Sequence, residues 1–216
     1  MLQIPTRIKP AYNAENIFAL NKTTSHPDSF LQNPAPHHPL DAPVSQSVSP
    51  AASVPEKHKT PVLRNIIQKG QKVRIGMVGQ LPRIRVALGW NVSNVQCDID
   101  LSAYLLDASG KVPGDDWFVF YGQTLSPDKS VTLHINESSS DREYADIDFF
   151  RLDPSIRKIV FVLTINEALE RNLNFSMVQD AYIRILNPDS GQEIYSFMLT
   201  DYYDNVTSMM LGEIYL

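Results

Sequence analysis

At 216 residues the chain has room for one domain of ordinary size plus a tail, and its 43% apolar residues suffice for a real core. A formal net charge of -5 gives no reason to expect a surface built for nucleic acid. No apolar run approaches the length of a membrane-spanning helix, and no apolar segment follows a basic start at the N-terminus, so a cytoplasmic protein that is not integral to a membrane is expected.

Residues 1–61 read differently from the rest. Ten of the fifteen prolines and four of the five histidines fall there, and none of the nine glycines does. The run Asn33-Pro-Ala-Pro-His-His-Pro-Leu-Asp-Ala-Pro43 has no apolar period, so it has too little surface to bury against its backbone entropy. A disordered, proline-rich tail or linker with polyproline II character is expected over 1–61. His37-His38 on such a tail makes a weak metal site at best. This segment carries a net charge of +1, so the remaining -6 lies in residues 62–216.

From residue 62 onward, short strands alternate with turn signals. Gln71–Val78 alternates weakly, and Arg83–Leu88 places Ile84, Val86 and Leu88 on one face. Asp98–Leu106 puts Asp98, Asp100 and Ser102 on one face and Ile99, Leu101, Ala103 and Leu105 on the other. Trp117–Tyr121 is apolar on both faces, as a central strand is. Ser126-Pro-Asp-Lys129 turns the chain into Ser130–Ile135.

Tyr144–Leu152 alternates again, and Lys158–Thr164 is the strongest buried-strand signal. Asn187-Pro-Asp-Ser-Gly191 joins Ala181–Leu186 to Glu193–Leu199 as a hairpin, and Thr207–Tyr215 completes the set. One short helix is expected at Glu167–Asn172, with Asn166 as its N-cap. The fold class that follows is all-β, a two-sheet β-sandwich with one short helix, preceded by a disordered Pro-rich N-terminal segment.

Two carboxylates one pleat apart repel each other unless a cation or donor stands between them, and hard oxygens at this spacing suit Ca²⁺. The alternatives for Asp98 and Asp100 are a solvated strand face or pairing with Arg83 or Arg85. Trp90 reads either as a stacking platform or as a core anchor after a glycine. Cys97, the one cysteine, excludes an internal disulfide and reads as a small apolar residue rather than a ligand. His134 has no nucleophile beside it in sequence, and no Gly-x-Ser-x-Gly, phosphate-cradling loop or zinc-ligand spacing occurs. No enzymatic activity is expected.

Several blocks in order carry a resemblance: Lys69-Gly-Gln-Lys-Val73, Leu88-Gly-Trp-Asn91, Asp98-Ile-Asp-Leu-Ser-Ala-Tyr-Leu-Leu106 and Phe118-Val-Phe-Tyr121. Ser126-Pro-Asp-Lys-Ser-Val131, Lys158–Ile165, Asn174-Phe175 with Ala181–Ile185, and Gly212-Glu-Ile-Tyr215 continue the series. Together they resemble the TerD-like domain of tellurite-resistance and stress proteins, a group that includes a cAMP-binding protein of slime moulds. The first 61 residues lie outside the resemblance.

The resemblance implies a sandwich that binds Ca²⁺ through acidic loops at one end. It also implies a role in tellurite or general chemical-stress resistance. Partners would be other stress-resistance proteins, in an assembly peripheral to the inner membrane face. Asp98 and Asp100 fall on the family's Asp-x-Asp; Asn91 stands where the family usually has Asp, and Asp141 and Glu143 close the site from a facing loop. That loop, 136–143, is shorter than in relatives and carries Arg142 where another acid is common. The chain is also expected to stop short of the family's last strands. Alternatives are a metal-free interaction scaffold and a cyclic-nucleotide binder.

Overall fold

A computed structural model describes residues 2–3, 57–76, 81–136, 138–199 and 205–216. The chain divides into two units, one made of Met1–Ala11 with Pro55–Leu216 and the other of Tyr12–Val54. The expected disordered Pro-rich segment falls almost wholly outside the described residues.

Eleven strands are described: β1 (Leu2–Gln3), β2 (Lys72–Val73), β3 (Arg83–Val92), β4 (Ile99–Asp107), β5 (Phe118–Val119) and β6 (Val131–Ile135), followed by β7 (Glu143–Asp148), β8 (Ile156–Ile165), β9 (Val178–Leu186), β10 (Glu193–Met198) and β11 (Ser208–Tyr215). They form two antiparallel sheets, ordered β2-β1-β11-β8-β4-β5 and β10-β9-β3-β7-β6. The all-β two-sheet class read from the alternating pattern is the observed one. Leu2 and Gln3, inside the segment read as a tail, pair with Ile214 and Glu213 of β11.

Alternation sets the layers. Ile84, Val86, Leu88 and Trp90 of β3 turn into one core with Ile99, Leu101 and Leu105 of β4 and Ile159, Phe161 and Leu163 of β8. Full burial of each such side chain is worth about 1.5–3 kcal/mol.

Two expectations need correction. Trp117–Tyr121 is not a central strand: Trp117 closes a 3₁₀ turn, and β5 is a two-residue edge paired with Ala103 and Tyr104 alone. Its aromatics stack instead, Phe118 between Tyr104 (4.4 Å between centroids) and Phe120 (4.7 Å), which satisfies them without a second sheet layer. Nor is Glu167–Asn172 a helix. Glu167 and Asn172 have φ of 49° and 54°, left-handed values that no continuing right-handed helix accommodates, leaving one turn closed by the Arg171 N–H on the Glu167 carbonyl (3.0 Å). Short 3₁₀ turns at Asp115–Trp117 and Phe175–Met177 are the helical elements among the described residues.

The strand directions give the sandwich two ends. One gathers the connections 93–98, 136–142 and 166–174, where the Asn166 N–H reaches the Asp98 carbonyl (2.9 Å). The other gathers 120–130, 149–155 and 187–192.

Candidate metal centre

At the first end, the two sheets meet through a carboxylate. Glu143 is the first residue of β7, and its side chain faces inward with Ala145 and Ile147. It is 6% exposed. Because β5 covers β4 only at Ala103 and Tyr104, the edge of β4 is open at Leu101, and the Leu101 N–H donates to Glu143 Oε2 at 2.7 Å. A buried edge donor needs a partner, and the carboxylate supplies it across the sandwich.

Asp98 and Asp100 flank Ile99 at the start of β4. Burial pushes the half-buried Asp100 carboxyl up to about 6, and repulsion from Asp98 adds to the shift. Burial is also the main cause that carries Glu143 up to about 7, with Asp100 and Asp98 repelling it further; the Leu101 N–H and Arg142 oppose the rise. Three acids therefore act on one another here with too little positive charge to balance them.

Trp90, Cys97, Asp98, Ile99, Arg142 and Glu143 line a small pocket at this end. Trp90 is a core anchor whose ring also floors the pocket, with the Arg142 guanidinium 5.1 Å from its centroid. Cys97 is buried, and burial with Asp98 nearby raises its thiol to about 11, so it stays protonated at neutral pH.

The remaining sequence-derived candidates point elsewhere. The Asn91 side chain is taken up by the His58 backbone, accepting its N–H at 2.8 Å and donating to its carbonyl at 3.0 Å, and it also donates to Asp180 (3.1 Å). Asp141 pairs with Arg184 and accepts the Tyr182 hydroxyl at 3.1 Å. Both residues fasten chain segments through these contacts.

Gly89 explains part of this arrangement. A Cβ there would stand 2.1 Å from the Ser140 carbonyl oxygen and 2.2 Å from the Tyr182 hydroxyl. Only a bare Cα lets the 136–142 loop lie this close to β3. Ser140 Oγ also donates to the Lys59 carbonyl (2.9 Å).

Arg83 and Arg85 do not pair with Asp98 or Asp100. Arg85 makes a bidentate pair with Asp146 (2.7 and 2.8 Å), and Arg83 meets Asp189 at 2.5 Å. His134 stacks on Tyr144 and lies 3.5 Å from Asp146.

The oxygen donors of Asp98, Asp100 and Glu143 are of the chemical kind that suits a hard divalent cation. Among the described residues, no group of three or more His, Cys, Asp or Glu is already gathered closely enough to hold an ion. A cation here would need carbonyls or water to complete its shell, as Ca²⁺ commonly does.

The TerD domain family model matches residues 64–216, most of the chain. The chain belongs to the TerD domain family. It is 34% identical over 157 residues to the tellurium resistance protein TerD of Serratia marcescens, covering 69% of this chain and 82% of that one. It is 31% identical over 159 residues to general stress protein 16U of Bacillus subtilis (strain 168), with the same coverage of 69% and 82%. Among solved structures, a homologue of the telluride resistance protein TerD from Streptomyces coelicolor A3(2) aligns with a TM-score of 0.45 at 18% identity, over 62% of this chain and 81% of that one.

Tyr182 is a residue of this TerD domain that sequence reasoning did not place near the site, and Arg142 was placed in the facing loop but not in the pocket. Glu143, expected in the facing loop, is instead the first residue of β7, on the same inward face as Ala145 and Ile147. Among the described residues, no helix is long and apolar enough to cross a membrane.

Proposed function

We propose that this TerD domain is a non-enzymatic module that binds a divalent cation, Ca²⁺ by the hardness of its donors, and serves in tellurium or general stress resistance as its named relatives do. The observation that carries the reading is the Glu143 carboxylate, buried at the open edge of β4 and raised by burial and by Asp100 and Asp98. Burying acids against each other costs stability, and a bound cation converts that cost into affinity. Asp98 and Asp100 would be ligands with Glu143, and Asn91 and Asp141 would hold the surrounding chain. Partners in a cytoplasmic or membrane-peripheral stress assembly would meet the domain in its cation-loaded form.

Thermal unfolding in Ca²⁺ against EGTA tests the reading. At a free Ca²⁺ concentration 100 times Kd, the fold gains about 2.7 kcal/mol, a rise of several degrees in Tm. An identical Tm in Ca²⁺ and EGTA at millimolar Ca²⁺ would count against it.

A second reading, a metal-free interaction scaffold, is favoured by one observation: Arg142 already brings a positive charge to the Glu143 carboxylate.

A further inference from the structure

Arg142 lies in the pocket between Trp90, Asp98 and Glu143. Its guanidinium rests on the Trp90 ring face, and its charge acts on the Glu143 carboxylate. Its Nε is nevertheless buried with no hydrogen-bond partner among the described residues. An unpaired buried donor is a costly place to rest, so the side chain is held by charge and ring contact rather than by a satisfied hydrogen-bond shell.

The backbone around it is fixed. The Asn136 N–H donates to the Arg142 carbonyl (2.6 Å), Asp141 is tied to Arg184, and the Ser140 carbonyl accepts the Tyr182 hydroxyl at 2.6 Å. Only the Arg142 side chain can leave the pocket without breaking these ties.

We propose that Arg142 is a tethered counter-cation that occupies the acidic end of the sandwich and must be displaced before a divalent ion binds. This rests on the cation-binding reading above and adds to it a gate that sets the affinity. Charge drives the gate, so a neutral side chain opens it and a lysine keeps it shut.

Calorimetric titration of Ca²⁺ into the chelator-treated full chain tests this with wild type, Arg142→Gln and Arg142→Lys. Arg142→Gln is expected to bind about tenfold more tightly than wild type, the order of effect of removing one unit charge from a partly screened site. Arg142→Lys is expected to stay within about threefold of wild type, since it keeps the charge. Should Arg142→Gln fail to fold by circular dichroism, Arg142→Met, which keeps an apolar contact with Trp90, takes its place.

Equal affinity in wild type and Arg142→Gln overturns the gate and leaves the cation reading standing. Equal tightening in Arg142→Gln and Arg142→Lys also overturns it, since bulk rather than charge would then be at work. Binding in Arg142→Gln with none in wild type supports the gate and overturns Ca²⁺ binding by the native chain. No binding in any of the three overturns both.

Discussion

The two ends of the sandwich each hold a partly buried carboxylate, and they treat it in opposite ways. Asp128, in the turn before β6, accepts from Ser126 Oγ (2.7 Å), Ser130 N (2.9 Å), Ser130 Oγ (2.7 Å) and the Asp153 N–H (2.8 Å). Burial works against its charge, yet the donors from Ser126, Ser130 and Asp153 outweigh it and hold the carboxyl below the usual range. Glu143, at the opposite end, has the Leu101 N–H, Arg142 and two acids for neighbours, and burial with the acids pushes its carboxyl up. Depth alone does not decide what an acid does; the donors around it do. One end is a finished structural turn, and the other carries more negative charge than Arg142 alone balances.

The largest effect should come from breaking the finished end. Asp128→Ala removes four hydrogen bonds and leaves the buried Ser126 and Ser130 hydroxyls with only each other (3.4 Å) and the Val131 N–H on Ser126 (2.9 Å). Chemical denaturation should show a loss of about 3 kcal/mol. The Ca²⁺-dependent shift in stability should survive unchanged, because this turn is remote from Asp98 and Asp100.

A smaller effect, read as a pH dependence, is expected at the unfinished end. Glu143 ordinarily titrates at 4.5 and is raised to about 7 in the fold, so between those values the folded state holds the extra proton. Stability in EGTA should therefore fall as pH rises from about 4.5 through 7, by roughly 2–3 kcal/mol, and level off above that. Asp100, half-buried, adds a screened contribution in the same direction below about 6. Denaturation midpoints measured across that range should flatten in Glu143→Gln. A stability curve that is flat through the same window in wild type would show that Glu143 is already neutralised by the protein.

Asp141 offers the smallest and most discriminating contrast. It belongs to the satisfied class, paired with Arg184 and Tyr182 like Asp128 with its serines. Asp141→Asn should cost about 1 kcal/mol of stability and leave Ca²⁺ affinity within about twofold. A tenfold loss measured by calorimetry would return Asp141 to the ligand set.

How far the sequence foretold this depends on the range of the interactions involved. Strands whose period of two was clear, such as Asp98–Leu106 and Lys158–Thr164, were legible because burial of one face is decided locally. The inward turn of Glu143 was not legible, because the alternating period is clear only from Tyr144 onward and Glu143 reads as the end of a polar loop. Trp117–Tyr121 misled because an aromatic run that stacks on itself at an edge has the same composition as a buried strand.

Glu167 misled because nothing in its own identity announces a left-handed backbone. Asn91 and Asp141 could not have been sorted from spacing. Their partners, His58 and Arg184, lie 33 and 43 residues away along the chain, and only the folded register brings them together. The pocket cation, Arg142, was visible as a residue but not as an occupant, since its meeting with Trp90 depends on how the 136–142 loop returns over β3.

The central claim is that the acids flanking Ile99 form the cation site with Glu143. The most direct test compares the Ca²⁺-minus-EGTA difference in Tm, at pH 8, between wild type and the Asp98→Asn/Asp100→Asn double variant. The account predicts a rise of several degrees in wild type and none in the double variant, which in EGTA should melt at or above the wild-type temperature because its mutual repulsion is gone. An equal Ca²⁺-dependent rise in both proteins would contradict it.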